Sequence, residues 1–214
     1  TMNRSRFPLV PLFPFFLFAV FACSLPTSLP NIQIPSLQTR AAASATASGD
    51  SKIGKGPIVA SPQTAQDILE KDSNIQILEQ LAKESYNTDD LSQAGKTYTF
   101  TITINKEQNL VMLNGWCATT QEILRDNFKN IKMEFSINGT PIDDNLILVS
   151  EREDNGGLFC RSFFVVMYGW PKGKTELQVA VTFDTKINDG MGDYPKGTHY
   201  YKYSNRSRGC PDQF

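Results

Sequence analysis

Hydrophobic and polar residues alternate along much of the second half of the chain. Residues 97–104 read TYTFTITI, with a hydroxyl at every second position, and residues 132–137 alternate again before Asn138-Gly139. A period of two predicts a strand with one buried and one solvated face, and Asn-Gly predicts a tight hairpin turn. Further strands are predicted at 110–113, 145–151, 158–168, 175–183 and 198–203, and the stretch 163–168 is apolar on both faces, which is typical of a central strand.

Short strands separated by turn signals predict a mainly β fold, an antiparallel Ig-like β-sandwich. The alternation also predicts which side chains line its inner face: Tyr98, Phe100, Ile102, Ile104, Met133, Phe135, Ile137, Leu177, Val179, Val181 and Phe183. The interleaved Thr99, Thr101, Glu134, Gln178 and Thr182 are expected to face solvent.

Two segments follow a helical repeat instead. Apolar residues recur at helical spacing from Thr64 to Lys83, with a possible break at residues 72–74. This narrow apolar stripe favours packing on the outer face or at an end of the sandwich. Thr119 and Glu122 resemble a capping box at the start of a short crossover helix within 119–131.

The first 22 residues read as a secretory signal peptide. Arg4 and Arg6 precede an uncharged 15-residue run from Phe7 to Phe21, and Val20-Phe21-Ala22-Cys23 resembles a bacterial lipobox, in which the cysteine is lipidated. A membrane-spanning helix needs about 20 apolar residues and is disfavoured by interior prolines. Plain secretion and a retained anchor remain the alternatives to a lipid anchor at Cys23.

Residues 23–63 are predicted to form a flexible, lipid-anchored linker. They are rich in Pro, Ser, Thr and Ala and include the run AAASATASG at 41–49, which lacks the large apolar side chains that offset the entropy of ordering. A flexible chain of this length reaches on the order of 35 Å. The predicted organisation is then a helix plus sandwich domain at 64–204 and a disordered tail at 205–214. Together these features predict an exported protein on the outer face of a bacterial cell membrane.

Charge argues against nucleic acid as a partner. The whole chain carries 21 basic and 22 acidic residues, and removal of the leader with Arg4 and Arg6 leaves 19 against 22, a net charge of −3. A nucleic-acid-binding surface requires a basic patch, which this balance does not favour.

The cysteines favour one disulfide. Outside Cys23 the chain has Cys117, Cys160 and Cys210, and export permits disulfides. Cys117 and Cys160 both lie at strands or strand ends within the body of the predicted domain, whereas Cys210 lies in a polar tail. We therefore expect Cys117 and Cys160 to be bonded to each other. Zinc is the alternative, but it needs three or four ligands, and His199 is the single histidine and has no partner motif.

Acidic residues around the predicted turn near residue 190 raise the possibility of calcium. Asp184, Asn188, Asp189 and Asp193 could offer oxygen ligands. Their spacing does not match an EF-hand loop, and Asn-Asp-Gly is also typical of a simple turn. The turn is the favoured interpretation.

Aromatic residues suggest a candidate ligand surface. Trp116, Trp170 and Tyr200 could stack on sugar rings, although Trp and Tyr in a small sandwich more often fill the core or its rim. Tyr200 and Tyr201 point to opposite faces of their strand, so one of them should be exposed. Motifs of serine hydrolases, zinc proteases and phosphate-binding loops are absent from the sequence.

Several motifs mark the predicted strands and turns: Trp116-Cys117-Ala118, the Phe135–Gly139 strand and turn, Cys160, Gly169-Trp170-Pro171-x-Gly173, Ile187-Asn188-Asp189-Gly190 and Tyr194-Pro195-x-Gly197-Thr198. Together they resemble uncharacterised exported lipoproteins of Chloroflexota-type bacteria with an Ig-like domain. The resemblance covers residues 64–204, the leader and the linker. It implies the fold and the export route and no catalytic residue or cofactor.

The sequence therefore predicts a tethered, non-enzymatic binding or spacer domain whose protein or glycan ligand is unidentified. A carbohydrate-recognition module that uses exposed Trp or Tyr residues is the first alternative. An envelope hydrolase is the second, and it would need a pocket with convergent polar groups.

Overall fold

The computed structural model describes residues 49–82 and 95–206, together with the backbone of the short strand Gln38–Thr39. The predicted leader, the lipidation site Cys23 and the third cysteine Cys210 lie outside the described residues. Within the described part of the chain, no helix has the length and apolar character needed to cross a membrane.

The described elements comprise short helices and many strands. The helices are α1 (Pro62–Lys71), α2 (Leu78–Ala82), α3 (Gln121–Asn127) and a 3-10 turn at Asp144–Leu146. The strands are β1 (Gln38–Thr39), β2 (Ser51–Lys52), β3 (Ile58–Val59), β4 (Gln76–Ile77), β5 (Thr97–Ile102), β6 (Leu110–Ala118), β7 (Ile131–Ile137), β8 (Thr140–Pro141), β9 (Leu148–Glu153), β10 (Phe159–Tyr168), β11 (Lys174–Phe183), β12 (Ile187–Asn188), β13 (Asp193–Tyr194) and β14 (Gly197–Arg206).

Two packed sheets form a mainly β sandwich, as the alternation predicts. In the first sheet, β10 is central: β6 pairs along one side of it, and β9 and β3 share the other. The second sheet has the order β5-β14-β11-β7-β8. The prediction of a purely antiparallel fold is wrong, because β5 runs parallel to β14 and β4 runs parallel to β6. Both β5 and β4 are edge strands, and each comes earlier in the chain than the strand with which it pairs.

The inner face follows the predicted alternation. Every predicted inward residue of β5, β7 and β11 is buried, and Phe135 and Leu177 are almost completely so. Of the interleaved residues, Thr99, Thr101 and Glu134 are exposed, while Gln178 and Thr182 are half-buried. The period of two thus fixes the register, since a slip of one residue would expose every large apolar group.

The hairpin between β7 and β8 confirms the Asn-Gly signal. Asn138 has φ 50° and Gly139 has φ 79°, and two successive positive φ values define the type I′ turn that suits twisted strands. The Asn138 side-chain oxygen also accepts a hydrogen bond from the Glu176 backbone N–H at 2.9 Å. The turn is therefore tied to β11 as well as to its own strands.

The N-terminal helix begins earlier than predicted and breaks where expected. Ser61 caps α1, because its side-chain oxygen accepts from the Thr64 N–H at 3.3 Å, and the helix ends before Asp72. Its apolar side, with the buried Ala65, packs against Val111 and Phe164 on the outer face of the first sheet. The predicted position on an outer face is confirmed.

The crossover helix begins one residue later than the predicted capping box. Thr120 is the N-cap of α3, and its hydroxyl oxygen accepts from the Ile123 N–H at 3.2 Å. Thr119 is instead held by the hairpin at residue 189, because its backbone N–H donates to the Asp189 carbonyl at 2.8 Å. The proposed pairing of Thr119 with Glu122 is therefore wrong.

Both predicted boundaries of the folded domain shift outward. Residues 51–59, assigned to the linker, form β2 and β3, and Asp50 accepts hydrogen bonds from the Ser61 N–H at 2.7 Å and the Tyr168 hydroxyl at 2.6 Å. The bond to this carboxylate raises the pKa of Tyr168 to about 12.

At the C-terminal boundary of the domain, β14 continues through the buried Asn205, whose side-chain oxygen accepts from the Ile104 N–H at 3.2 Å.

We predict a large difference in stability between two neighbouring truncations in β7. Phe135→Ala should lower the free energy of unfolding by about 3–5 kcal/mol, because it leaves a cavity between the sheets. Glu134→Ala, on the exposed face of the same strand, should cost less than about 0.5 kcal/mol. Urea denaturation of the two variants measures both values, and equal losses would contradict the assignment of inner and outer faces.

Candidate functional site

Three connections meet at one end of the sandwich, which we call the hairpin end. They are the α3 crossover from β6 to β7, the β9–β10 turn at residues 154–158, and the segment 184–196 between β11 and β14. They lie together because Trp116 near the end of β6 contacts Phe183 at the end of β11, which brings the matching ends of the two sheets into register. Loops gathered on a rigid scaffold are a common place for binding surfaces.

The hairpin end carries a tightly ordered loop at residues 188–193, the Met191 loop. The buried carboxylate of Asp189 organises it: one oxygen accepts from the N–H groups of Met191 and Gly192, both at 2.7 Å, and the other accepts from the Tyr194 hydroxyl at 3.0 Å. The Asn188 side chain adds two further hydrogen bonds. Its oxygen accepts from the Gly190 N–H and its amide donates to Asp193, both at 2.8 Å. These bonds fix the shape of the loop locally.

The Met191 loop is also clamped onto the α3 crossover. The Thr119 N–H donates to the Asp189 carbonyl at 2.8 Å, and the Asn127 side-chain amide donates to the Asn188 carbonyl at 2.9 Å. Gly190 has φ 92°, and a Cβ atom there would lie 1.8 Å from the Thr119 hydroxyl oxygen. Glycine is therefore required at this position by both backbone conformation and close contact.

Four rings pack together beside the Met191 loop, those of Trp116, Phe183, Tyr194 and His199. Trp116 packs edge-on against Phe183 at 5.2 Å and against Tyr194 at 4.8 Å, and His199 packs against Phe183 at 5.3 Å, each distance joining ring centroids. Burial, followed by the hydrogen bond to Asp189, raises the pKa of Tyr194. The loop thus sits on a base of packed rings, which adds to its rigidity.

His199 is buried in this base, and neither of its ring nitrogens has a hydrogen-bond partner among the described residues. Burial alone lowers its pKa, because the charged imidazolium would lose its hydration. A catalytic histidine needs a partner that orients or receives its proton, and the geometry here provides an apolar setting instead.

The rim of the hairpin end is electrically balanced. The described residues place three exposed lysine–aspartate pairs there, each with a 2.7 Å nitrogen–oxygen distance: Lys129–Asp126, Lys132–Asp184 and Lys186–Asp193. The pKa of Lys132 is raised mainly by its bond to Asp184, and the pKa of Asp193 is lowered by bonds from Asn188 and Lys186. Such exposed pairs contribute little stability, but they leave the rim without a strong field of either sign.

Met191 stands out within this neutral rim. It is 65% exposed, and among the described residues only Tyr200, at 37%, is another exposed large apolar side chain. Because its backbone is held by Asp189, Met191 is displayed in a fixed position.

The four calcium candidates use their oxygens for other bonds. Asp184 pairs with Lys132, and Asn188, Asp189 and Asp193 hold the turn together. Within the described ranges, no group of three or more His, Cys, Asp or Glu residues could hold a metal ion. Because these oxygens already accept or pair within the protein, the structure favours a turn over a calcium site at these residues.

The predicted disulfide is present between Cys117 and Cys160. These residues lie directly opposite each other on β6 and β10, with Cα atoms 4.0 Å apart. Beside them Arg161 pairs with Glu151, and its guanidinium lies 4.5 Å above the Phe128 ring.

The three candidate stacking residues do not form one platform. Trp116 is half-buried among the rings of the hairpin end, and Tyr200 is exposed on the outer face of the second sheet. Trp170 lies at the opposite end of β10, where it is buried and its indole N–H donates to the Gln108 carbonyl at 2.8 Å. The expectation that Trp170 belongs to a ligand surface is therefore wrong, whereas the exposure of one of Tyr200 and Tyr201 is confirmed.

Comparisons with known proteins give distant structural matches alone. No protein-family model and no curated protein matches the chain. Among solved structures, similarity is found to PbICP-C in complex with falcipain-2, with TM-score 0.32, 13% identity, 55% of this chain and 93% of that chain covered. It is also found to amebosin (TM-score 0.27, 13% identity, 54% and 100% covered) and to the cysteine protease inhibitor EhICP2 from Entamoeba histolytica (0.25, 10%, 62% and 97%). Similarity at this level carries no activity over to this chain.

Sequence reasoning identified the residues around the loop and missed Met191 itself. The available signal was the run Asn188-Asp189-Gly190-Met191-Gly192, in which one apolar residue stands between two glycines inside a polar turn. A lone methionine in a turn is unremarkable until its exposure and the rigidity of its backbone are known.

We predict that Gly190→Ala destabilises the protein more than Gly54→Ala. Both glycines have positive φ, but a Cβ at Gly54 meets nothing within 4 Å. The control should lose about 1–2 kcal/mol from backbone strain, and the clash with Thr119 should add at least about 1 kcal/mol. Urea denaturation measures the difference, and equal costs would mean that Gly190 does not touch Thr119.

We also predict that His199 makes stability depend on pH. The unfolded chain takes up a proton at His199 as the pH falls through about 6.5, whereas the folded chain, with its lowered pKa, does so at a lower pH. The unfolded state therefore binds more protons, and the free energy of unfolding should fall between about pH 7 and pH 5. His199→Phe should remove this part of the dependence in denaturation curves; identical slopes for variant and wild type would contradict the assignment.

Proposed function

We propose that this chain is an exported, non-enzymatic binding domain, tethered through a lipid at Cys23 to the outer face of a bacterial cell membrane. The hairpin end is its contact surface and Met191 its anchor residue. The observation that carries the proposal is the Met191 loop, in which six consecutive residues are hydrogen-bonded into one shape around the buried Asp189 and display a single apolar side chain.

The energetics of recognition favour such an arrangement. Binding costs conformational entropy when a loop must be ordered, and a loop fixed in advance avoids most of that cost. Methionine is enriched in protein interfaces because its flexible thioether adapts to apolar pockets. A balanced rim does not select strongly charged ligands, so the partner is a protein with an apolar pocket.

The disulfide and the sequence motifs support the location. A cross-strand disulfide forms and persists outside the reducing cytoplasm, which agrees with the predicted signal peptide. The resemblance to exported lipoproteins of Chloroflexota-type bacteria supports a lipid at Cys23. The linker then holds the domain away from the lipid surface.

A carbohydrate-recognition module is the competing hypothesis. Its aromatic platform would have to rely on Tyr200 alone among the three candidates, because Trp170 is buried and Trp116 packs within the protein.

A photoreactive residue tests the contact surface in the cells that produce the protein. Placed at position 191, it should give one discrete cross-linked species, and placed at the exposed Lys55, beyond the hairpin end, it should not. With the cross-linked partner identified and purified, Met191→Ala should weaken binding by roughly thirtyfold, as expected for an anchor residue, with little dependence on salt. Lys55→Ala is the matched control. Unchanged affinity in Met191→Ala, or glycan binding that is lost in Tyr200→Ala, would contradict the proposal.

The tether has a separate test. Expressed in a bacterium, the full chain should enter the detergent phase, and Cys23→Ser should leave it in the aqueous phase. Intact-mass measurement should show the mass of the lipid on the wild-type chain. An unmodified Cys23 in the wild type would rule out the anchor and leave plain secretion.

A further inference from the structure

The methionines in the described part of the chain divide sharply by exposure. Met112, Met133 and Met167 lie in the core between the sheets, where 1%, 6% and 0% of each residue is accessible. Met191 is 65% exposed. A dissolved oxidant reacts with a thioether only where it can reach the sulfur, so accessibility separates Met191 from the other three.

The backbone on both sides of Met191 keeps its side chain in solvent. Gly190 and Gly192 flank it and have no side chains that could shield the sulfur. The N–H groups of Met191 and Gly192 both donate to the buried Asp189 carboxylate at 2.7 Å. The loop therefore cannot turn the Met191 side chain into the protein without breaking these hydrogen bonds.

No thiol competes with Met191 for an oxidant within residues 49–82 and 95–206. A cysteine thiolate is the group that usually reacts first with a peroxide. The cysteines in these ranges, Cys117 and Cys160, are bonded to each other as a disulfide. The Met191 thioether is thus the most accessible oxidisable sulfur that the structure describes.

We propose that Met191 is a site of oxidation by hydroperoxides and that its sulfoxide no longer engages the partner. A lone pair on Met191 Sδ attacks one peroxide oxygen, and the O–O bond breaks as the S–O bond forms. The proton on the new S–O–H group passes to the departing hydroxide or alkoxide, which leaves as water or an alcohol. Sulfur loses two electrons and the peroxide gains them. Because this step acts on the contact surface, it rests on the function proposed above.

Oxidation changes the property on which the contact depends. The thioether is apolar, whereas the sulfoxide is strongly polar and its oxygen accepts hydrogen bonds. In an apolar pocket this oxygen would lose its water without gaining a donor, and burial of an unpaired polar group is costly. Binding should therefore weaken by at least about tenfold.

The same oxidation should leave the fold intact. The hydrogen bonds that shape the Met191 loop come from backbone N–H groups and from the side chains of Asn188, Asp189 and Tyr194. None of these bonds uses the Met191 sulfur. Oxidation of a core methionine would instead place a polar oxygen between the sheets. Met191 is thus the position at which oxidation can change binding without unfolding the domain.

Peptide mapping of the folded full chain after treatment with hydrogen peroxide tests the site. Free thiols are alkylated first, so that the peroxide acts on thioethers. The peptide that contains Met191 should gain the mass of one oxygen atom at least about tenfold faster than those with Met112, Met133 and Met167. The urea midpoint of this singly oxidised chain should match that of the untreated chain. In urea, where the chain is unfolded, all four should react at similar rates. Equal rates in the folded chain, or a lowered urea midpoint, would overturn the inference.

Binding to the partner identified by cross-linking at position 191 tests the consequence. The chain is treated alone and freed of peroxide before mixing. Treatment should weaken binding of the wild type at least about tenfold. Met191→Leu keeps an apolar side chain of similar volume without sulfur, so it should bind the partner and lose nothing on treatment.

Two results would overturn this consequence: a treated wild type that binds as tightly as the untreated chain, or an equal loss in treated Met191→Leu. Either result leaves the contact surface standing if Met191→Ala weakens binding without peroxide. Failure of the contact surface itself is seen separately, as unchanged affinity of Met191→Ala.

Discussion

The pairing of β10 with β6 fixes the rest of the structure. Nine consecutive residue pairs set which side chains of each strand face the second sheet, and the Cys117–Cys160 bond holds that register covalently. The same register turns Trp116 inward, where it meets Phe183 and aligns the two sheets at the hairpin end.

Order in the Met191 loop depends on a single buried carboxylate. Asp189 lies 3% exposed and accepts three hydrogen bonds, two from backbone and one from Tyr194. The three donors compensate the burial of this polar group, and the loop is compact for that reason. The polar residues that suggest a metal site in the sequence are thus the residues that organise a rigid turn.

The hairpin end displays one exposed apolar side chain, Met191, on a loop that hydrogen bonds hold in one shape. An apolar side chain presented in this way is typical of residues that enter a pocket in a protein interface.

The sequence by itself determined the elements whose signal is local. Alternation identified β5, β7 and β11 and their inner faces, Asn138-Gly139 identified a turn, and the position of two cysteines within the body of the predicted domain identified their bond. These predictions succeed because the period of a strand and the φ preferences of Asn and Gly act within a few residues.

Tertiary structure alone decided the rest. The parallel pairing of β5 and β4, the strands formed by residues 51–59, the burial of Trp170 and the role of Thr120 rather than Thr119 as the cap all depend on partners far along the chain. Met191 became a candidate anchor for the same reason: its exposure and fixed position come from Asp189, Thr119 and the packed rings beneath. Long-range hydrogen bonds and packing leave no periodic trace in the sequence, so folding had to bring these residues together before their roles could be recognised.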